Sequence, residues 1–464
     1  MRNVICRFGK FRKTVFRCMG RAVIPLFGYS VISLMLTSCG EDDKSSNPYD
    51  KPHNPNQAVE VRSVSPVSGG IGTKVIVAGS NFGNDTTGVE LYFNRKKALI
   101  MNIQDNAIYA LVPFQPGEFS TIKVVLKGKE ATLDGMQFQY FTRTTVTTIS
   151  GQQGVNTSVD GPALQATWGR PVSAAVKKDG SLLFIVDDMN GGSNAKVKML
   201  ATTDKMVVTV MDQLRRPWTM AFNPSETMLF VGEREESARP ILFHALSEKS
   251  NWLERVTYYD QRDENGIYIA GNMPYSSVAA DDTYVYVFSG KLIRVHQITK
   301  KIEVISDVLL TEQWNYVLFN AVNKKLYIVC SGQARIYEMD PYHTPEGMTT
   351  PWLTVDDMKW VVGSGRGSTI QGNGRSMRFG GTETCTIDVY GNIYLADSPY
   401  DVVWKVDMDF NATVIGGISG SYGYRDGDPK EALFNSPFAA AATNDGRIYV
   451  CDGGNYLIRL ISIQ

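Results

Sequence analysis

A motif that recurs along the C-terminal two-thirds of the chain constrains the fold more than any other feature. Its clearest copy reads Asp426-Gly427, then Ala432-Leu433-Phe434-Asn435-Ser436-Pro437, then Asp445-Gly446-Arg447-Ile448-Tyr449-Val450-Cys451-Asp452, then Asn455-Tyr456-Leu457-Ile458-Arg459. An earlier copy runs in parallel from Asp160-Gly161 through Ala166-Thr167-Trp168-Gly169-Arg170-Pro171 to Asp179-Gly180 and Leu182-Leu183-Phe184-Ile185-Val186-Asp187. A third spans Met377-Arg378-Phe379, Tyr390-Gly391-Asn392-Ile393-Tyr394-Leu395-Ala396-Asp397 and Val403-Trp404-Lys405-Val406. Weaker copies open at Arg216-Pro217-Trp218, Met273-Pro274-Tyr275 and Gln313-Trp314-Asn315, and lead into Met228-Leu229-Phe230-Val231, Val285-Tyr286-Val287-Phe288 and Leu326-Tyr327-Ile328-Val329. Units recurring every 40–65 residues or so, each with about four short apolar runs, cannot bury their faces alone and must stack on their neighbours.

The pattern resembles the NHL repeat, and the six copies then imply a six-bladed β-propeller. Asp-Gly at 179–180 and 445–446 suits tight hairpins. Trp168, Phe379 and Phe434 share one repeat position and are expected between blades. Asp187, Asp397 and Asp452 recur at a strand end, which points to accepting backbone hydrogen bonds rather than to chemistry. The β-branched run Thr144–Ile149 precedes the first full repeat. Pairing it with Leu457–Ile463 would remove the open sheet edge of the ring.

From Val59 to about Phe141, short alternating runs such as Val75-Ile76-Val77, Val89-Glu90-Leu91-Tyr92-Phe93 and Ile122-Lys123-Val124-Val125-Leu126 are separated by turn signals. This is the sequence form of an immunoglobulin-like sandwich. Ser65-Pro66-Val67-Ser68-Gly69-Gly70, Gly79-Ser80-Asn81-Phe82-Gly83, Val112-Pro113 and Phe138-Gln139-Tyr140 resemble the IPT/TIG family, whose domains serve as spacers or docking modules. Gly79 and Gly83 are expected to flank a turn that needs positive φ.

The first fifty residues read as an address. Arg2, Arg7, Lys10, Arg12, Lys13, Arg17 and Arg21 precede a broken apolar stretch over 23–36, which suits a signal-peptide core better than a membrane span. Leu36-Thr37-Ser38-Cys39 resembles the lipobox of bacterial lipoproteins, implying a lipid on Cys39, with Met1 or Met19 as the start. Glu41-Asp42-Asp43 behind that cysteine resembles a surface-export signal, so the expected location is the outer membrane, facing outward. Residues 45–57, rich in Pro, Asn and Ser, read as a flexible tether.

The expected fold class is therefore all-β: an immunoglobulin-like (IPT/TIG) β-sandwich followed by a six-bladed NHL-type β-propeller. Residues 1–38 form the signal peptide, 39–58 the lipidated tether, 59–141 the sandwich and 142–464 the propeller. Lys plus Arg and Asp plus Glu each number 47, which argues against bulk electrostatic attraction to nucleic acid. Cys330, Cys385 and Cys451 fall in strand-like runs with no zinc spacing and read as buried thiols.

A ligand site belongs where the copies differ. The position after the repeat's proline starts the innermost strand and lies near a mouth of the central channel. It holds Val172, Trp218, Tyr275, Asn315 (beside Trp314), Thr382 and Phe438. Aromatic faces stack on the C–H faces of sugars. Arg170 and Arg216 precede the proline and suit carboxylates or sulfates, and Glu233-Arg234 replaces the usual Asp. The expected ligand-binding set is Arg170, Arg216, Trp218, Arg234, Tyr275, Trp314, Asn315 and Phe438; the competing reading is that the aromatics plug the channel. Of His53, His244, His296 and His343, none is expected at an equivalent blade position. No G-x-S-x-G, P-loop or H-E-x-x-H occurs, and no cofactor or metal is expected.

Lipobox, tether, sandwich and propeller in this order resemble surface lipoproteins that accompany starch-utilisation-like glycan import systems. The resemblance implies a non-enzymatic glycan binder, with a polysaccharide ligand and outer-membrane transporter components as partners. The alternatives are a polysaccharide lyase or lactonase-like hydrolase, and a protein-docking scaffold.

Overall fold

The structure, a computed structural model, describes residues 48–113, 119–141, 144–188, 194–215, 217–233, 241–262, 265–269, 277–288, 291–306, 315–342, 353–382 and 384–463. The leader, Cys39 and the acidic run behind it lie outside these residues.

In the N-terminal domain, alternation of apolar and polar residues gives each strand one buried face. Lys74–Ser80 buries Val75 and Val77, Val89–Phe93 buries Leu91 and Phe93, and Ile122–Leu126 buries Ile122 and Val124. One sheet is ordered Glu60–Ser65, Lys74–Ser80, Ala107–Leu111, Leu99–Gln104; a second is ordered Lys129–Thr132, Ile122–Leu126, Val89–Phe93, Lys96–Lys97; and a short third is ordered Ser68–Gly69, Phe138–Tyr140, Phe119–Ser120. Phe93 and Phe138 meet edge to face at 5.2 Å in the shared core. Gly83 does adopt positive φ (81°), but Gly79 is glycine for another reason. A Cβ there would lie 2.0 Å from the Glu60 carbonyl and 2.3 Å from Phe82 Cζ. Between the two glycines, Asn81 donates through Nδ2 to the carbonyls of Asn54 (2.9 Å) and Gln57 (2.8 Å), and His53 Nδ1 bonds to the Asn81 carbonyl. The last residues of the expected tether are thus held against the sandwich.

The rest of the chain forms six antiparallel sheets, each with four main strands. Their innermost strands are Pro171–Val176, Thr219–Phe222, Ser277–Ala280, Asn315–Asn320, Cys385–Ile387 and Pro437–Ala442. Each innermost strand touches the next, and the sixth touches the first, so the sheets close into a ring. In the sixth blade the outermost strand comes from before the first blade. Thr144–Gly151 runs antiparallel to Leu457–Ile463, from the pair Thr144–Ile463 to the pair Gly151–Leu457. Trp168, Phe379 and Phe434 are fully buried in the apolar cores of the ring.

The recurring carboxylate is a structural clamp. Asp187 Oδ1 accepts from the N–H groups of Gly169 (2.8 Å) and Arg170 (2.9 Å). Asp452 Oδ1 accepts from Asn435 N–H (2.8 Å), and Asp397 Oδ2 from Gly380 N–H (2.9 Å). Each carboxylate faces a donor on the third strand of its blade, opposite the residue two places before it. Arg459, opposite Val450, donates to Asp452 at 2.7 Å, and Trp404, opposite Leu395, donates to Asp397 at 3.1 Å. Lys198, opposite Ile185, lies 3.8 Å from Asp187. In the second blade Glu233 takes the acid's place, accepting from Arg215 N–H and bonding to His244, which stands opposite Val231. The expectation that no histidine occupies an equivalent blade position is therefore corrected: His244 does. The sequence separation of Glu233 and His244 is longer than that of Asp452 and Arg459, which disguises the register.

Burial pushes the Asp397 carboxyl up to about 6, against the lowering influence of its N–H donors and of Arg366. Because the folded-state value is raised, folding favours the protonated form. The contribution is complete below the ordinary carboxylate range and is lost as pH rises through about 6. Acidifying from pH 7 to pH 5 should add about 1.4 kcal/mol from this group, seen as a rise in thermal midpoint that Asp397→Asn reduces by its share; an unchanged pH slope in the variant would refute it. Deleting residues 456–464 removes the strand that joins both sides of the sixth blade, and should abolish cooperative unfolding of the propeller in calorimetry.

Candidate functional site

The innermost strand of each sheet is hydrogen-bonded on one side only, so its free edge turns N–H and C=O groups toward the channel. Hydroxyls of adjacent blades take up several of them. Thr219 Oγ1 accepts from Val278 N–H and Ser277 Oγ from Val317 N–H, each at 2.9 Å. Thr384 Oγ1 donates to the Phe438 carbonyl at 3.0 Å, and Thr386 Oγ1 to that of Ala440. Small polar residues on these strands therefore tie blade to blade.

Between the two ends, the channel changes character. Near the start of the innermost strands, Trp218 of the second blade donates from Nε1 to the Tyr316 hydroxyl of the fourth at 3.0 Å. Trp218 is only 9% exposed and packs into the core shared by the fourth and fifth blades. This contact links the second blade directly to the fourth. From Tyr316 toward the other ends of the strands lies a cavity of about 310 Å³ walled in part by small residues such as Ala174, Ala221, Ala279 and Ala441. At its rim Lys178 donates from its N–H to Glu226 Oε1 at 2.5 Å and from Nζ to the Pro224 carbonyl. Burial raises the Glu226 carboxyl above its ordinary range.

The expected ring of ligand-binding residues is placed as follows. Trp218, Asn315, Val172 and Thr382 are buried. Phe438 is half-buried, with the Arg170 guanidinium 5.2 Å from its ring centre. Arg170 keeps 37% of its side chain exposed and reaches the buried Asp188 at 3.4 Å. The pair is seated on a glycine: a Cβ on Gly453 would lie 2.1 Å from Phe438 Cδ2. Arg216, Arg234, Tyr275 and Trp314 lie outside the described residues. The structure thus brings Arg170 and Phe438 together and holds Trp218 by a hydrogen bond to Tyr316. Among the described residues no three His, Cys, Asp or Glu side chains gather as a metal-ligand group. Cys330, Cys385 and Cys451 are buried free thiols, and burial raises Cys385 and Cys451 well above the usual thiol range.

Two features of this region escaped the sequence reading. The cavity has no local motif, because all six innermost strands contribute a few residues each to it. An arginine-bearing connector between the fourth and fifth blades was visible as a stretch from Met358 to Thr382 with four cations and no acid, but the balanced total charge hid it.

These observations define the class: an all-β chain in which an immunoglobulin-like sandwich precedes a six-bladed β-propeller. Residues 60–140 match the IPT/TIG domain family. A Bacteroides thetaiotaomicron VPI-5482 protein of unknown function has a similar fold, with a TM-score of 0.71 at 23% identity over 89% of this chain and 100% of that one. An auxiliary nutrient binding protein from Bacteroides ovatus ATCC 8483 is similar with a TM-score of 0.58 at 19% identity, again over 89% of this chain and 100% of that one. Coverage of this extent takes in sandwich and propeller together. In sequence, the chain is 26% identical over 305 residues (54% of its length) to the Arabidopsis thaliana protein SUPPRESSOR OF QUENCHING 1, chloroplastic, and spans only 25% of that protein.

Replacing Thr219 by Val would leave the Val278 N–H without its acceptor in a buried setting. The expected loss is about 1–3 kcal/mol in denaturant unfolding, with Thr219→Ser near wild type. Equal losses in both variants would show that the hydroxyl is not what matters.

Proposed function

We propose that this chain is a non-enzymatic surface lipoprotein, anchored through Cys39, whose propeller binds a polysaccharide at the end of its channel where the innermost strands begin. The observation that carries the reading is the Arg170–Phe438 pair, a partly exposed guanidinium held over an aromatic ring at that end. Guanidinium and ring together supply directed donors and apolar area, the two things a sugar chain with polar edges and C–H faces requires. The fold shared with proteins named as auxiliary nutrient binding proteins is in keeping with this. The sandwich acts as a spacer, and outer-membrane transporter components are the partners this reading implies.

The mature protein should be retarded in native gels containing its polysaccharide. Phe438→Ala and Arg170→Ala should each weaken retention roughly tenfold, the loss typical of a binding hot spot. Wild-type retention in both variants would remove this site, and release of shortened sugar chains from a retained polysaccharide would remove the non-enzymatic reading. Cys39→Ala should move the protein from the membrane to the soluble fraction; unchanged membrane partition would remove the anchor.

A further inference from the structure

Some cations on this molecule have a carboxylate beside them, as Arg62 has Glu60, Lys177 has Glu248 and Arg294 has Glu303. The connector between the fourth and fifth blades gathers several cations in a stretch of sequence that carries no acid of its own. From Met358 to Thr382 the sequence holds Lys359, Arg366, Arg375 and Arg378 and no Asp or Glu. Among the described residues, no carboxylate lies within ion-pair distance of Arg366, Arg375 or Arg378, nor of Arg335 on the facing strand. Their positions are nonetheless fixed. The connector folds back on itself, with Ile370 bridging Arg378 and Ser364 N–H donating to the Met377 carbonyl. Arg366 Nε donates to the Gly380 carbonyl at 2.5 Å, and Arg378 Nε to Ser364 Oγ at 3.3 Å. Arg375 donates through Nε and Nη2 to the Trp360 carbonyl. The Arg335 and Arg375 guanidiniums also lie 4.4 and 4.6 Å from the Trp360 ring centre.

The ribbon runs from Trp360, on the outer strand of the fourth blade, to Gly380 and Thr382. Thr382 N–H donates to Ser331 Oγ at 3.0 Å, at the same end of the ring as Arg170 and Phe438. Arg366, Arg375 and Arg378 are exposed along it. Each is tied by one or two donors to backbone or hydroxyl oxygens, and a guanidinium has five. Prearranged guanidiniums with donors to spare are receptors for planar or tetrahedral oxyanions, which they bind through paired, charge-assisted hydrogen bonds. Several in a row suit a linear polymer with repeated anionic groups better than one isolated anion. Two guanidiniums already lie over the Trp360 ring, so no nucleobase can stack there, which sets this surface apart from a single-strand nucleic-acid platform.

We propose that the 359–380 connector is a binding surface for the carboxylate or sulfate groups of an acidic polysaccharide, extending the site at Arg170 and Phe438 outward over the fourth and fifth blades. The inference rests on the glycan-binding reading above and adds the charge of the ligand to it. The test uses the full mature chain in affinity gels with polygalacturonate (carboxylate), heparin (sulfate) and the neutral glucan dextran. Retention by one or both acidic polymers should fall steeply as salt is raised, because the contacts are screened. The triple variant Arg366→Gln, Arg375→Gln, Arg378→Gln should lose roughly tenfold or more of that retention. Which acidic polymer is held distinguishes carboxylate from sulfate. Retention by dextran alone, equal in wild type and triple variant, overturns the acidic ligand while leaving glycan binding intact. No retention by any of the three overturns the inference, and with it the support for a glycan ligand if a wider panel of neutral glycans is also negative. Should the triple variant unfold, the salt series on the wild type decides: retention of an acidic polymer that survives high salt is incompatible with the proposal.

Discussion

Everything in the propeller depends on one set of backbone hydrogen bonds, those between Thr144–Gly151 and Leu457–Ile463. A row of sheets has two open edges, and open edges recruit other chains. Here the strand leaving the sandwich supplies the missing edge of the last sheet, so the ring closes on itself. With closure fixed, each innermost strand gains a neighbour on either side. The hydroxyls of Thr219, Ser277, Thr384 and Thr386 can then reach backbone groups of the adjoining blades. The buried carboxylates Asp187, Asp397 and Asp452 tie each loop to the strand it must enter, so closure, inter-blade ties and loop geometry form one dependent series.

Much of this was legible in the sequence because architecture repeats itself. Asp187, Asp397 and Asp452 recur, so their role as backbone acceptors could be read without coordinates. Even the weak copies point to real strands: Met228–Gly232, Tyr284–Phe288 and Lys325–Cys330. His244 was missed because a longer stretch of sequence separates it from Glu233 than separates Arg459 from Asp452. Pairing register is a property of the sheet, and spacing along the chain follows it only when loops have equal length.

The site was legible in position and less so in role. The sequence placed Trp218 at the start of an innermost strand, where it is, but whether such a side chain stands open or is tied to another blade depends on its reach toward the facing blades. Tyr316, 98 residues away, supplies the hydroxyl that fixes it. The arginines of the 359–380 connector posed the opposite problem. They are adjacent in sequence and plain to see, yet a total charge of zero is an average, and a local excess disappears in it.

The closing strand also sets how the molecule carries load. Thr144 pairs with Ile463 at the end of the blade away from Phe438, while Gly151 pairs with Leu457 near it. The chain therefore enters the propeller on the face opposite the one bearing Arg170 and the arginine connector. A pull between a ligand held on that face and the end of the strand at Thr144 runs along the strand rather than across it. All its hydrogen bonds then share the force at once instead of parting one after another, and the joint that completes the ring is also the one best oriented to resist being drawn out of it.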